Sequence, residues 1–169
     1  IFQFSNTLDE EIPWTPANDQ NLLNKLANSE IEWQAGSWTQ TKNAAVKCRE
    51  SLTSHRSGAI KVYILSTDGL PTAPAPDDPD PNPECASMIY QYGIIVFSVA
   101  LLIYDAPDPN LPAYMGGGDG TDPDELIESF KNTLHNCASQ PTAEHFHTID
   151  TNSFNLQSQA VLTAIERNL

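Results

Sequence analysis

The chain has 169 residues and a mass of 18.5 kDa, a length that suits one domain, residues 1–169. Its 22 Asp+Glu against 8 Lys+Arg give a net charge of -14, which argues against nucleic acid and anionic membrane surfaces as partners. Hydrophobic residues at 40% are enough for a core and exclude wholesale disorder.

The chain opens Ile1-Phe2-Gln3-Phe4-Ser5, with neither a basic region nor a cleavage-like site. That start reads as the middle of a strand, so further residues upstream are expected. Asn6-Thr7 forms a tight turn, and residues 8–12 return as a short edge strand stopped by Pro13. Asn18 or Asp19 caps a helix with Leu22, Leu23, Leu26 and Ala27 on one face. After a loop of small residues, Gln34 to Thr39, a second helix carries Ala44, Ala45, Cys48 and Leu52 on one face. Residues 54–58 turn. Residues 59–65 are an apolar, β-branched run broken only by Lys61, the pattern of a buried parallel strand. It ends in Ser66-Thr67-Asp68-Gly69.

Residues 70–83 hold six prolines and three aspartates, which predicts an exposed loop. A helix over 84–92 follows, with Ala86, Ile89 and Tyr90 inward, ended by Gly93. Residues 94–101 form a second buried strand. The apolar stretch 94–104 is about half of the ~20 residues a membrane-spanning helix needs. Residues 105–121 form a second loop, with three prolines and a Gly116–Gly120 cluster. Asp122 then caps a helix with Pro123 at its first position and Glu125 in a capping-box arrangement. Its buried stripe is Leu126, Ile127, Phe130, Leu134 and Cys137. Residues 145–150 give a third parallel strand, and a last helix carries Leu156, Ala160, Val161, Ala164 and Ile165. The alternation predicts a parallel sheet covered on both faces.

Cys48, Cys85 and Cys137 match no zinc spacing. One disulfide plus one buried thiol is the simplest count and fits an oxidising compartment; three reduced buried thiols are the alternative. Ligands of an open α/β sheet bind beyond the carboxyl ends of its strands. Two polar features fall there: Asp68, and the loop Gly36-Ser37-Trp38-Thr39 before a helix. A Thr hydroxyl and an Asp carboxylate would suit a hard divalent cation that keeps several waters. The plainer readings are that Thr39 caps its helix and Asp68 makes a turn. Trp38 is either a rim contact or packed under the neighbouring loop.

Other patterns are weaker. Residues 78–84 alternate oxygen donors, but proline replaces the glycine a calcium loop requires. His145 and His147 share a strand face and could pair on a metal, although a polar strand face is the simpler account. The glycine cluster lacks a G-K-[ST] ending, no G-x-S-x-G elbow occurs, and no nucleophile–base set is visible. The chain therefore reads as no enzyme.

The ordered motifs resemble the von Willebrand factor A (vWA) domain over nearly all 169 residues. Ile1-Phe2-Gln3-Phe4-Ser5 is similar to its second strand, and Trp14-Thr15 with Asn21-Leu22-Leu23-Asn24-Lys25-Leu26 to its next strand end and helix. Gly36-Ser37-Trp38-Thr39-Gln40-Thr41 resembles its G-G-x-T-x-T loop, and Ile64-Leu65-Ser66-Thr67-Asp68-Gly69 its L-x-T-D-G strand end. Tyr92-Gly93-Ile94-Ile95-Val96-Phe97-Ser98-Val99 matches its G-I-x-V-F strand, and Ala138-Ser139 with His145-Phe146-His147-Thr148-Ile149-Asp150 its ending.

The resemblance implies a three-layer α/β/α Rossmann-like fold. Its central sheet would be mostly parallel with one antiparallel edge strand, and the N-terminal strand and D-x-S-x-S loop are missing from these residues. It implies metal roles for Thr39 and Asp68 in a metal-ion-dependent adhesion site (MIDAS), holding Mg2+ (or Ca2+ or Mn2+); Ser37 and Trp38, beside Thr39 in sequence, are the candidate partner contacts. An upstream segment or a second chain would fill the sheet. Cys85 and Cys137 resemble the cysteine pair of TadG-like proteins of tight-adherence pilus systems, which implies a disulfide between them and leaves Cys48 buried and free.

The function so implied is an extracellular, cation-dependent protein-binding or adhesion module of a cell surface or pilus-like filament. The location would be periplasmic or outer-surface in a bacterium. Alternatives are a structural filament subunit with a degenerate metal site, and a subunit of an intracellular ATPase or chelatase-type assembly.

Overall fold

The computed structural model of the chain describes residues 2–4, 8–10, 14–16, 18–21, 24, 40–55, 57–68, 80–102, 122–150 and 154–167. The apolar runs of the sequence become adjacent parallel strands. Strand β3 (Val62–Thr67) pairs with β4 (Ile95–Leu102) from Val62↔Ile95 to Thr67↔Ala100. Strand β5 (Phe146–Asp150) pairs with the other edge of β4, from Ser98↔Phe146 to Leu102↔Asp150. The order is β3-β4-β5. The middle strand β4 is buried over Val96–Ala100, as its unbroken apolar run requires. A separate antiparallel pair, β1 (Phe2–Phe4) and β2 (Leu8–Glu10), forms its own two-stranded sheet in the register Phe2↔Glu10.

The helical segments with described bounds that accompany these strands are α1 (Thr41–Ser54), α2 (Asn82–Tyr90), α3 (Pro123–Cys137), the single turn α4 (Thr142–His145) and α5 (Phe154–Arg167). Side chains of cross-strand partners share a face. On one face Tyr63, Leu65, Val96 and Ala100 meet Leu52 of α1, Met88 of α2, and Phe130 and Leu134 of α3. On the other, Val99 and Ile149 pack against Val161 of α5. Helix α1 also touches β1 and so stands between the two sheets.

Two buried serines in this core are satisfied. The Ser98 hydroxyl donates to the Leu134 carbonyl at 2.6 Å. Ser139 accepts from the Val96 N–H through Oγ and donates its own N–H to the Val96 carbonyl, each at 2.9 Å. These bonds hold the end of α3 on β4; leaving such buried groups unmade costs about 1–3 kcal/mol each. Cys85 and Cys137 form a disulfide with Cα atoms 5.1 Å apart, joining α2 to the end of α3. A 52-residue separation corresponds to about 4 kcal/mol in the chain-entropy picture. Cys48 is free and partly buried.

The cap and the first-turn proline expected at the start of α3 are both present. Asp122 Oδ1 accepts from the Asp124 N–H at 2.9 Å, and Pro123 occupies the first helical position.

Elsewhere the boundaries shift. The strand expected over 59–65 runs two residues further, to Thr67, and starts later. Its faces differ: Tyr63, Leu65 and Thr67 are buried, while Ile64 is exposed, so burial is one-sided rather than complete. The helix expected over 84–92 spans Asn82–Tyr90, and its buried residues are Cys85 and Met88; Ile89 packs against the core as expected, whereas Ala86 and Tyr90 face solvent. The disulfide fixes that rotation, because Cys85 must reach Cys137.

His145 closes α4 rather than opening β5. Gln20, Asn21 and Asn24 are helical, whereas the apolar face Leu22, Leu23, Leu26 and Ala27 lies outside the described residues, as do residues 70–79 and 105–121.

Candidate functional site

Two ends of the parallel layer carry polar chemistry. At the carboxyl end, β3 finishes in buried Thr67, and exposed Asp68 follows. Helix α1 precedes β3 through the reversal at residues 55–61. Its 14 residues span about 21 Å and the six of β3 about 20 Å, so the start of α1 and the end of β3 reach the same end of the layer. Thr41, at the first position of α1, is wholly buried. Thr39, Ser37 and Trp38 lie outside the described residues. The structure thus places Asp68, and it places the chain two residues after Thr39 at the same end.

Oxygen donors of this type suit a hard divalent cation. Among the described residues there is no group of three or more His, Cys, Asp or Glu able to hold a metal. Asp68 is the carboxylate that directly follows β3 at this end.

Two other sequence candidates resolve differently. His145 Nδ1 lies 3.0 Å from the Pro141 carbonyl and its ring packs 4.7 Å from Phe97, whereas His147 Nε2 lies 3.1 Å from the Glu144 carbonyl. Each imidazole is committed to its own backbone contact, because the turn α4 carries His145 off the strand. In the acidic run 78–84, Asp80 Oδ1 accepts from the Asn82 N–H at 3.0 Å, and Glu84 Oε2 accepts from Arg49 Nε at 2.8 Å. Those two carboxylates serve the start of α2 and its tie to α1; Asp78 is outside the described residues.

The amino end of the layer was not singled out by motif. Trp14 Nε1 donates to Ser51 Oγ at 2.7 Å, and its ring stacks on His55 with centroids 4.7 Å apart. The Arg49 guanidinium lies 5.6 Å from the centre of the Tyr92 ring. Just inside, burial pushes the Cys48 thiol from an ordinary 9.0 to about 11. Burial, with a smaller contribution from Cys48, holds the Tyr63 phenol well above its usual range. Cys48 is therefore a protonated, unreactive thiol near neutral pH. The sequence did hold one signal near this end: five of the eight Lys and Arg residues fall within residues 42–61, of which Lys47, Arg49 and Lys61 lie in or after the middle of α1.

Comparison with known proteins agrees with the topology. A structural relative is proximal thread matrix protein 1 (PTMP1) from the mussel byssus, with a TM-score of 0.59 and 18% identity over 96% of this chain and 34% of that one. The chain spans about a third of that protein's length, and at this identity the likeness is one of fold. No curated protein matches at a significant level. The family model of the von Willebrand factor type A domain matches residues 1–161. With the parallel β3-β4-β5 layer and its helices, that match over most of the sequence means the chain belongs to the von Willebrand factor type A domain family.

Proposed function

We propose that this domain is a non-catalytic, extracellular protein-binding module that holds a divalent cation at the carboxyl end of its parallel sheet. Asp68 and Thr39 are the ligands from this chain, Mg2+ is the first choice of ion, and Ca2+ and Mn2+ are alternatives. Ser37 and Trp38 sit beside Thr39 in sequence and form the contact rim. The bound cation supplies a Lewis-acidic point that a partner's carboxylate can complete. The observation that carries this reading is the exposed Asp68 carboxylate directly beyond β3, at the end of the layer where α1 begins.

The Cys85–Cys137 disulfide supports an oxidising, extracellular location and weighs against an intracellular ATPase or chelatase assembly. Attachment to a pilus-like filament is the narrower form of the reading. The outer edge of β3 bears on partners too. Lys61 O accepts from Ile95 N, so the odd-numbered residues of β3 bond to β4 and the N–H and C=O of Val62, Ile64 and Ser66 point away from it. No strand among the described residues pairs with that edge. An extended segment, from elsewhere in the protein or from a second chain, completes the sheet there.

Calorimetric titration with Mg2+ and with Mn2+ tests the cation site. Asp68→Ala and Thr39→Ala are each expected to weaken uptake by at least about tenfold, the loss of a charged or directly coordinating ligand. Uptake equal to that of the unaltered chain in both variants would overturn the reading. A second reading, a structural subunit with a degenerate site, is favoured by the lack of a three-residue metal cluster among the described residues. It requires that the unaltered chain take up neither ion.

A further inference from the structure

The six exposed large apolar side chains among the described residues are unevenly placed. Trp14 is 54% exposed, Ile60 64%, Tyr90 78% and Tyr92 45%. All four sit at the amino end of the parallel layer, around the last turn of α1, the lead into β3 and the end of α2. They are three aromatics and an isoleucine, a composition typical of protein contact sites. Their neighbours are basic. Lys47 lies one helical turn before Ser51, which holds Trp14. Lys61 follows Ile60, and Arg49, itself paired with Glu84, lies against Tyr92. The stretch 41–61 holds five Lys or Arg against one carboxylate, Glu50; the rest of the chain holds three against 21.

This surface calls for an occupant that is acidic and stacks well on aromatic rings. The chain itself contains one: Pro71-Thr72-Ala73-Pro74-Ala75-Pro76-Asp77-Asp78-Pro79, with four prolines and two adjacent aspartates. Proline-rich sequences bind aromatic-lined surfaces because their backbone has little freedom left to lose. The aspartates match Lys47 and Lys61.

The stretch hangs between Asp68 and Asp80, and both lie at the carboxyl end of the layer, after β3 and before α2. The patch is at the opposite end, about 20 Å away along β3. Half of an 11-residue connection reaches at most about 20 Å, so only its tip could touch the patch of the same molecule. Laying the whole stretch across the patch requires a second copy.

We propose that the patch around Trp14, Ile60, Tyr90 and Tyr92 binds the acidic proline-rich stretch 71–79 of another copy of this chain. The two surfaces lie at opposite ends of the domain, so the contact is head-to-tail and builds open chains or, where the rotation closes, rings. It uses no cation and is independent of Asp68.

Sedimentation velocity of the chain over a range of concentrations, with EDTA present, tests this. The expected result is mass that rises with concentration and falls as salt is added. Lys47→Glu with Lys61→Glu, and separately Asp77→Lys with Asp78→Lys, are each expected to weaken association by at least about tenfold, since each places like charges face to face. Mixing the two variants restores a complex, because the reversed patch then meets the reversed stretch. Circular dichroism checks that each variant is folded, and a synthetic peptide of residues 70–83 is expected to compete with the unaltered chain. Three results would each overturn the proposal: a monomer at all concentrations, a closed dimer unaffected by Asp77→Lys with Asp78→Lys, or variants that do not complement each other.

Discussion

Tyr63 and Leu65 lie buried beneath α1 and α2, whereas Ile64 between them is half exposed and Ile60 just before them more so. All four belong to one apolar run. In the middle strand no such difference exists: Val96 through Ala100 are buried on both faces. Burial in this sheet is therefore decided by which element crosses a face, and apolar character alone does not decide it. Helix α5 covers the second face over β4 and β5 through Val99, Ile149 and Val161, and that cluster does not extend to β3. The stapled side of the molecule provides stability. Among the described residues no strand pairs with the outer edge of β3 and Ile64 on its second face is half exposed, which leaves apolar side chains and backbone groups for something else to engage.

Substitution on the two sides should separate them. Phe130→Ala opens a cavity in the covered core and is expected to cost about 3–5 kcal/mol in urea unfolding, while Ile64→Ala costs less than about 0.5 kcal/mol. Equal costs would erase the contrast. Replacing both Cys85 and Cys137 by Ala tests the staple itself. The loss should approach about 4 kcal/mol, with the unfolding slope rising as the denatured chain expands.

The smallest effect concerns Cys48, at the margin of the covered core. Its folded-state pKa is raised, so the protonated thiol contributes stability that is complete below its ordinary 9.0 and is lost as pH climbs through about 11. Two pH units correspond to no more than about 3 kcal/mol. Stability should therefore fall between pH 9 and 11, and Cys48→Ala should flatten that fall. Tyr63 titrates in the same direction and leaves a residual slope.

Much of the architecture was legible from local chemistry. Asp122-Pro123 followed by Leu126, Phe130 and Leu134 specifies α3, since cap, first-turn proline and 3.6-residue stripe all agree. The run after Gly93 specifies a buried parallel strand because few other structures bury so many consecutive apolar residues, whereas the run before Asp68 has the same composition and is buried on one face only. The rotation of α2 was not legible. Nine residues led by prolines and Asn82 fit either Ala86 and Tyr90 or Cys85 and Met88 inward, and the choice is made by a covalent bond to a residue 52 positions away.

The sequence reading starts the third parallel strand at His145, but the turn opened by Thr142 extends through that residue and the strand starts at Phe146. At the candidate site, Asp68 could be read from the sequence because the strand ends in Ser66-Thr67-Asp68-Gly69. The amino-end cluster could not, since Trp14 and Ser51 are 37 residues apart and no motif joins them.

The cation at the carboxyl end is the claim on which the functional reading turns, and Mn2+ offers a direct view of it. Amide spectra recorded during Mn2+ titration should broaden first at Gln40, Thr41, Thr67 and Asp68. Gly58 and Gly93, at the amino end, should stay sharp, and Asp68→Ala should abolish the effect. Broadening centred instead on the amino end, on residues 80–84 or on no defined place would contradict the account.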